Sequence, residues 1–333
     1  MRIAVDAMGG GSPSLALEGA YQAVQLFPNL NIILVGDDLL LKESLNKQGI
    51  VLPASVSIVH APEVIEMCES PVVALRKKKK SSVAVAADLV KQGYADALVT
   101  AGNTGAAVVT TTLKWRMLKG ISRPAIALPI PNKQDISVIL DVGANVDCKP
   151  IHYLHYGIMG KIYAENIFHK TNARVGLLNV GEEDSKGGTD IQEVFKILKD
   201  APFNFIGNVE GRDIFNGRCD VIVCNGFLGN VVLKVSEGVS SLIKDLAKTE
   251  FKRNPISLLG AFLSRGVFNR LKKKIDHSSY GGAPLLGVDG ICIISHGSSN
   301  AEAFCNAIRV AQECVIDNVN VQIVKEIEDN DIL

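Results

Sequence analysis

Short apolar runs alternate with longer helical patterns along the 333 residues. The runs at 2–7, 31–35, 56–60, 97–100, 136–141, 174–180, 221–224 and 290–295 are rich in Val, Ile, Leu and Ala, and a further one at 203–206 carries two Phe and an Ile. Most are bounded by Gly, Asn, Asp or Ser, as buried strands are. Between them, apolar residues recur at helical spacing over about 15–26, 39–47, 71–79, 81–91, 104–118, 151–168, 190–200, 228–251 and 299–319. The tail 326–333 reads as frayed. Repeated strand–helix units with short connections predict one α/β domain over 1–333, built on a doubly wound, mostly parallel sheet.

Polar chemistry collects where the strands end, which is where open α/β folds bind ligands. The fullest instance is Asp141-Val-Gly-Ala-Asn-Val-Asp-Cys-Lys-Pro150, with Asn145 at its centre. Ala101-Gly-Asn-Thr-Gly-Ala106 is a strand, a glycine loop and a helix start. Gly102 and Gly105 permit close backbone approach, Asn103 and Thr104 add side-chain donors, and the first helical N–H groups point outward. Asn225-Gly-Phe-Leu-Gly-Asn230 has the same design, through Asn225, Gly226, Gly229 and Asn230. Both loops are equally readable as plain helix caps. Asn179 and Lys186 lie in the loop after the 174–180 strand, and Lys186 is the best cation for an anionic substrate. His296 follows the last strand and is the best general acid or base. Five such edges together are the pattern of an enzyme with an anionic substrate.

Thirty-five basic residues balance thirty-five acidic ones, so bulk charge gives no reason to expect nucleic-acid binding. Seven cysteines without close pairing read as buried, reduced thiols; Cys148, on the 141–150 edge, is the one with a possible nucleophilic role. His152 and His155 are spaced i, i+3 but lack placed carboxylates, so no metal is expected. No P-loop or dinucleotide fingerprint is present. No apolar stretch reaches the ~18 residues of a membrane span, and the first residues form a strand rather than a leader.

The 251–276 segment breaks the rhythm. Seven basic residues and one acid are interleaved with apolar side chains, including Leu259, Phe262 and Phe268. It suits an anionic membrane surface, an acidic partner or a subunit interface. A second basic run, Arg76, Lys77, Lys78, Lys79 and Lys80, suits the same partners.

Taken together, the chain resembles the phosphate acyltransferases of bacterial phospholipid synthesis. The resemblance rests on Asp6-Ala-Met-Gly-Gly10, the 101–106 loop, the 140–150 edge, Asn179-Val-Gly-Glu-Glu183 with Lys186-Gly187, Gly207-Asn-Val-Glu-Gly-Arg-Asp213, Gly226 with Gly229-Asn-Val-Val-Leu-Lys234, Tyr280-Gly-Gly-Ala-Pro-Leu-Leu-Gly287 and Ser295-His-Gly-Ser298, in order. It implies a fold similar to the isocitrate and isopropylmalate dehydrogenases, a homodimer, and a helical membrane or dimer segment near 240–276. It also implies acyl transfer from acyl carrier protein to inorganic phosphate without a cofactor, in the cytoplasm at the inner membrane face. A downstream glycerol-3-phosphate acyltransferase would consume the product. The chain departs from the family pattern at Gly11 and Ser12, where Asp-His is usual, and at Lys80 and Asn225, where Asp is usual. Two other readings stay open: a phosphotransacetylase-like enzyme using acyl-coenzyme A, and a catalytically impaired membrane scaffold for acyl carrier protein. A dehydrogenase is the fold-level rival, disfavoured by the missing fingerprint.

Overall fold

The structure, a computed structural model, describes residues 1–10, 12–268, 270, 281–295 and 300–332. Its strands divide between two sheets. The first has seven strands in the order β3 (Val56–His60), β2 (Asn31–Gly36), β1 (Arg2–Asp6), β4 (Ala97–Thr100), β12 (Ile291–Ile294), β11 (Ala283–Leu286) and β5 (Ala125–Ile126). The first five of these run parallel, and β11 is antiparallel to both its neighbours. The second has five, in the order β6 (Leu128–Pro131), β7 (Ile136–Leu140), β10 (Val221–Val223), β8 (Arg174–Leu178) and β9 (Asn204–Val209). All but β6 run parallel.

Central strands are apolar on both faces because helices cover both; β4 and β10 are buried throughout. Helices α1 (Pro13–Leu26), α2 (Asp38–Gln48), α3 (Pro71–Lys77), α4 (Ser82–Lys91) and α5 (Thr104–Trp115) follow the early strands. Then come α6 (Pro150–Ile167), α7 (Thr189–Lys199), α8 (Gly226–Phe251) and α9 (Pro255–Leu263), with α10 (Ala301–Ile316) and α11 (Val319–Asp329) last. A Cβ on Gly19 would overlap Phe304, so α1 and α10 pack at a distance only glycine permits. Helix α6 is buried from His152 through Gly160 without interruption. That matches its lack of a polar face and its place against β7, β10, α7 and α11.

Three differences from the sequence pattern have local causes. The strands β5, β6 and β11 are two to four residues long, too short to leave a periodic signal. A single residue, the fully buried Ala127, separates β5 from β6, so the chain passes directly from one sheet to the other. The helix expected over about 299–319 is α10, which stops at Ile316; Asn318 then takes a left-handed conformation and an additional helix, α11, follows. The 326–333 tail is not wholly frayed: α11 reaches Asp329, Ile327 is fully buried, and Lys161 pairs with Glu326 at 2.7 Å.

Helix α8 is different again. It has 26 residues, about 39 Å at 1.5 Å per residue, yet only Gly226 and Gly229 are buried. Past residue 237 it leaves the body, and Val239, Leu242, Ile243 and Leu246 are exposed. No residue of α9 is buried. The protruding segment expected near 240–276 is therefore present over its described part. Phe268 stacks edge-on against Phe251, with ring centroids 5.0 Å apart.

Candidate active site

At the carboxyl edge of the seven-stranded sheet, β1 ends in a buried aspartate. The Asp6 carboxylate accepts the N–H groups of Met8 (3.2 Å) and Gly9 (3.1 Å) and the Thr100 hydroxyl (2.8 Å). Thr100 Oγ1 in turn accepts from the Gly102 N–H at 3.2 Å. Burial raises the Asp6 pKa above the usual carboxylate value, opposed by hydrogen bonds from Ser82, Thr100 and the loop. A Cβ on Gly9 would lie 2.5 Å from Gly102 N, so the 6–10 and 100–105 loops touch backbone to backbone.

Asn103 caps α5 by accepting the Ala106 N–H at 3.0 Å, and its Nδ2 lies within 3.2 Å of the carbonyls of Glu66, Met67 and Glu69. Its amide is committed to holding the 63–70 segment. Gly105 meets the Pro71 ring. Thr104 is exposed, with no side-chain hydrogen bond among the described residues. Beside this edge lies an open cavity of about 620 Å³, lined by Met8, Ser12, Ser44, Lys47, Val64 and Glu66 among others.

The five-stranded sheet repeats the buried-aspartate design more elaborately. Asp141 Oδ1 accepts the N–H groups of Gly143 (3.1 Å), Ala144 (3.0 Å) and Ile126 (3.0 Å), the last from β5 of the other sheet. Oδ2 accepts the Asn145 N–H at 2.7 Å and its Nδ2 at 3.3 Å. Burial raises the Asp141 pKa, and the backbone donors oppose it. Asn145 Nδ2 also reaches Pro124 O (2.6 Å) and Tyr156 Oη (3.0 Å). The Asn145 amide therefore fastens the junction of the two sheets.

Helix α8 starts directly above this knot. Gly226 N–H donates to Asn145 O at 2.8 Å. A Cβ at Gly226 would meet that oxygen at 2.5 Å, and one at Gly229 would overlap the Asp141 carbonyl oxygen. These glycines thus admit the neighbouring backbone. Asn225 caps the helix through Leu228 N–H at 2.8 Å. Asn230, by contrast, is exposed above Gly143, with no side-chain hydrogen bond among the described residues.

One strand over, Asn179 holds the 181–187 loop closed through Lys186 O at 3.1 Å. Lys186 is half-exposed, its Nζ 3.9 Å from Glu183. Because β8 lies beside β10, Lys186, Asn179 and Asn225–Asn230 belong to one sheet edge. Gly102–Gly105 belongs to the other, and no hydrogen bond among the described residues joins Asn103 to Asn230.

Cys148 lies 3.6 Å from Asn145 O and 3.5 Å from Tyr156 Oη, and burial pushes its pKa up, so it is a thiol at neutral pH rather than a ready nucleophile. His152 and His155 both point inward. Their Nδ1 atoms accept the N–H groups of Lys149 (3.1 Å) and Ser122 (3.4 Å). Burial lowers both pKa values, that of His155 to about 4. No group of three or more potential metal ligands occurs among the described residues. His296 lies outside the described residues; Ser295 before it bonds Thr100 O at 2.7 Å. Of the Arg76–Lys78 run, Arg76 and Lys77 are exposed. Lys78 instead turns inward, to Val64 O at 2.6 Å and Glu69 at 2.5 Å. Leu259 and Phe262 are more than half exposed.

Sequence reasoning assigned no role to Asp6, Asp141 or Tyr156. The available signal was an Asp closing an apolar strand just before a glycine turn, twice.

A phosphotransacetylase from Streptococcus pyogenes superposes with a TM-score of 0.66 over 95% of this chain and 94% of its own, at 15% identity. A 4-hydroxythreonine-4-phosphate dehydrogenase from Klebsiella pneumoniae does so at 0.51, over 95% and 99%, at 14% identity. These likenesses establish a dehydrogenase-like α/β fold. A family model described as "fatty acid synthesis protein" matches residues 1–322. The phosphate acyltransferase of Pelotomaculum thermopropionicum is 48% identical over 98% of this chain and 95% of its own length. That of Desulfitobacterium hafniense is 50% identical over 98% of both. The chain therefore belongs to the fatty acid synthesis protein family and, within it, to the phosphate acyltransferases.

Proposed function

We propose that this acyltransferase takes a fatty acyl group from acyl carrier protein and passes it to inorganic phosphate. The acyl phosphate then feeds phospholipid synthesis through a glycerol-3-phosphate acyltransferase. The observation that carries the reading is the end-to-end similarity to phosphate acyltransferases at about half identity.

A phosphate oxygen attacks the thioester carbonyl, the C–O bond forms, the tetrahedral oxyanion collapses, and the C–S bond breaks. The sulfur leaves as a thiolate, so no strong general acid is demanded. What the reaction needs is a held phosphate and donors for the oxyanion. Lys186 and Asn230 present an ammonium and an exposed amide at one sheet edge, and Thr104 an exposed hydroxyl at the other, the last two with no side-chain hydrogen bond among the described residues. We assign Lys186 and Asn230 to phosphate. Asn145, Asn179, Asn225, Gly226 and Gly229 shape the loops of that edge, Gly102, Asn103 and Gly105 shape the edge of the other sheet, and His296 remains the acid–base candidate. No step calls for a cofactor.

The exposed apolar face of α8 and α9, with Leu259, Phe262 and Phe268, supports a subunit contact or shallow binding to an anionic membrane surface. No helix among the described residues is long and apolar enough to cross a membrane.

The test is incubation with long-chain acyl-carrier protein and phosphate, trapping acyl phosphate with hydroxylamine. Hydroxamate formation dependent on both substrates supports the reading. Turnover of acyl-coenzyme A alone would move the enzyme to the phosphotransacetylase class, and intact thioester with both donors would leave a scaffold.

A further inference from the structure

Helix α3 lies on the carboxyl edge of the seven-stranded sheet, where Pro71 rests on Gly105 at the start of α5. Its outward face has two halves. Val72 and Val73 are about half exposed, at 47% and 49%. One turn on, Arg76 and Lys77 are exposed, and Lys79 and Lys80 continue the charge. Spacing of i, i+4 places Val72 with Arg76 and Val73 with Lys77 on one surface. Among the described residues, none of these four cations makes a side-chain hydrogen bond or ion pair. Lys78 alone turns away, to Glu69 and the Val64 carbonyl. A surface that satisfies one cation internally and leaves four pointing outward, beside two valines, is shaped for an acidic amphipathic partner.

The setting adds a second observation. The 63–70 segment that Lys78 and Asn103 pin in place is also a wall of the cavity of about 620 Å³. Val64 and Glu66 belong to both. On the far side, α2 contributes Leu40, Ser44 and Lys47. The lining mixes apolar side chains and hydroxyls with Gln48, the Lys47 ammonium and the carboxylates of Glu43 and Glu66, and this hydrogen-bonding variety suits a flexible arm rich in amide and hydroxyl groups, with Lys47 the one cation for any phosphate it carries. At about 620 Å³ it falls within the usual size of a small-molecule site, and it is too polar for a bare hydrocarbon chain.

We propose that the outer face of α3, continued through Lys79 and Lys80, docks an acidic carrier protein, and that the carrier's thioester-bearing arm enters the cavity behind the Val64–Glu66 wall. This rests on the carrier-protein reading of the donor. Steering by four unpaired cations raises the association rate, and salt screens it.

The experiment compares wild type with Arg76→Glu/Lys77→Glu/Lys79→Glu, using acyl-carrier protein and, separately, a short acyl-pantetheine thioester that lacks the protein. The expected result is a fall of about tenfold or more in kcat/KM for the carrier relative to acyl-pantetheine, with loss of the salt dependence seen in wild type. An unchanged ratio between the two donors overturns the docking surface. So does loss of anionic-vesicle binding with an unchanged ratio, which assigns the ridge to lipid. Ser44→Trp, on the cavity side of α2, should raise KM for both donors; unaltered kinetics overturn the arm's route. If wild type does not turn over acyl-carrier protein at all, the donor reading itself has failed, a result distinct from these.

Discussion

Lowering the pH from about 7.5 to about 5 should destabilise the fold through His155. The ring is 3% exposed, its Nδ1 accepts the Ser122 N–H, and burial holds its folded-state pKa near 4 against an ordinary value of 6.5. A histidine whose folded pKa is depressed contributes stability that is present above the unfolded value and lost as pH falls toward the folded one. Between 6.5 and 4 the unfolded chain binds a proton the native state refuses. At pH 5 the difference amounts to about 2 kcal/mol, approaching about 3 near pH 4. In His155→Asn the amide oxygen can still accept the Ser122 N–H, but nothing titrates at this position. That variant should lose some stability at every pH from packing, yet its loss between about 7.5 and 5 should be smaller than that of wild type by about 2 kcal/mol. Urea denaturation of both proteins at the two pH values reads the difference directly. Equal pH dependence in the two would refute the reasoning, and would mean that the buried ring is charged or the helix α6 environment already wet.

Gly229→Ala should cost about 3 kcal/mol, because its Cβ would overlap the Asp141 carbonyl and α8 must shift; thermal unfolding would show a clear drop in Tm, and an unchanged Tm would remove the close approach. Asn103→Ala should destabilise by about 1 kcal/mol or more through the lost cap and, because the same amide holds three carbonyls of the 63–70 segment, should speed proteolysis there; equal cleavage rates would contradict that clamp. Lys186→Ala should shift stability by within ~0.5 kcal/mol, its side chain being half-exposed, while weakening phosphate use roughly tenfold to a hundredfold, as a lost charge-assisted contact does; an unaltered phosphate titration would take Lys186 out of the site. Leu259→Glu/Phe262→Glu should reduce co-sedimentation with anionic vesicles, and a shift to monomer on sizing chromatography would instead assign α9 to a subunit contact.

Much of this molecule is written in local pattern. The central parallel strands announce themselves because they are apolar on both faces and run into Gly, Asn, Asp or Ser, and most lead into a helix of ordinary period. The long exposed helix α8 and its basic, apolar continuation are equally plain, since no core would accept that mixture. The polar strand ends around 101–106, 141–150, 179–187 and 225–230 are visible for the same reason: side chains that cannot be buried unpaired mark the edge of the sheet. What local pattern could not supply is the partner of each polar group. Asn103 and Asn230 look alike in sequence, but the first meets three carbonyls from a segment 34 to 37 residues away and the second meets none among the described residues. The glycines at 226 and 229 read as openings for a ligand, whereas the fold fills that space with the Asp141–Asn145 backbone. The division into two sheets hangs on β5 and β6, too short to carry a period and defined only by the strands they pair with. Asp141 joins those sheets by accepting Ile126 N–H, a contact across 15 residues that exists only once both strands are in place. Hydrophobic periodicity is a property of neighbours in the chain, so sequence carries it; hydrogen-bond saturation and close backbone approach are properties of neighbours in space, and only the folded structure decides them.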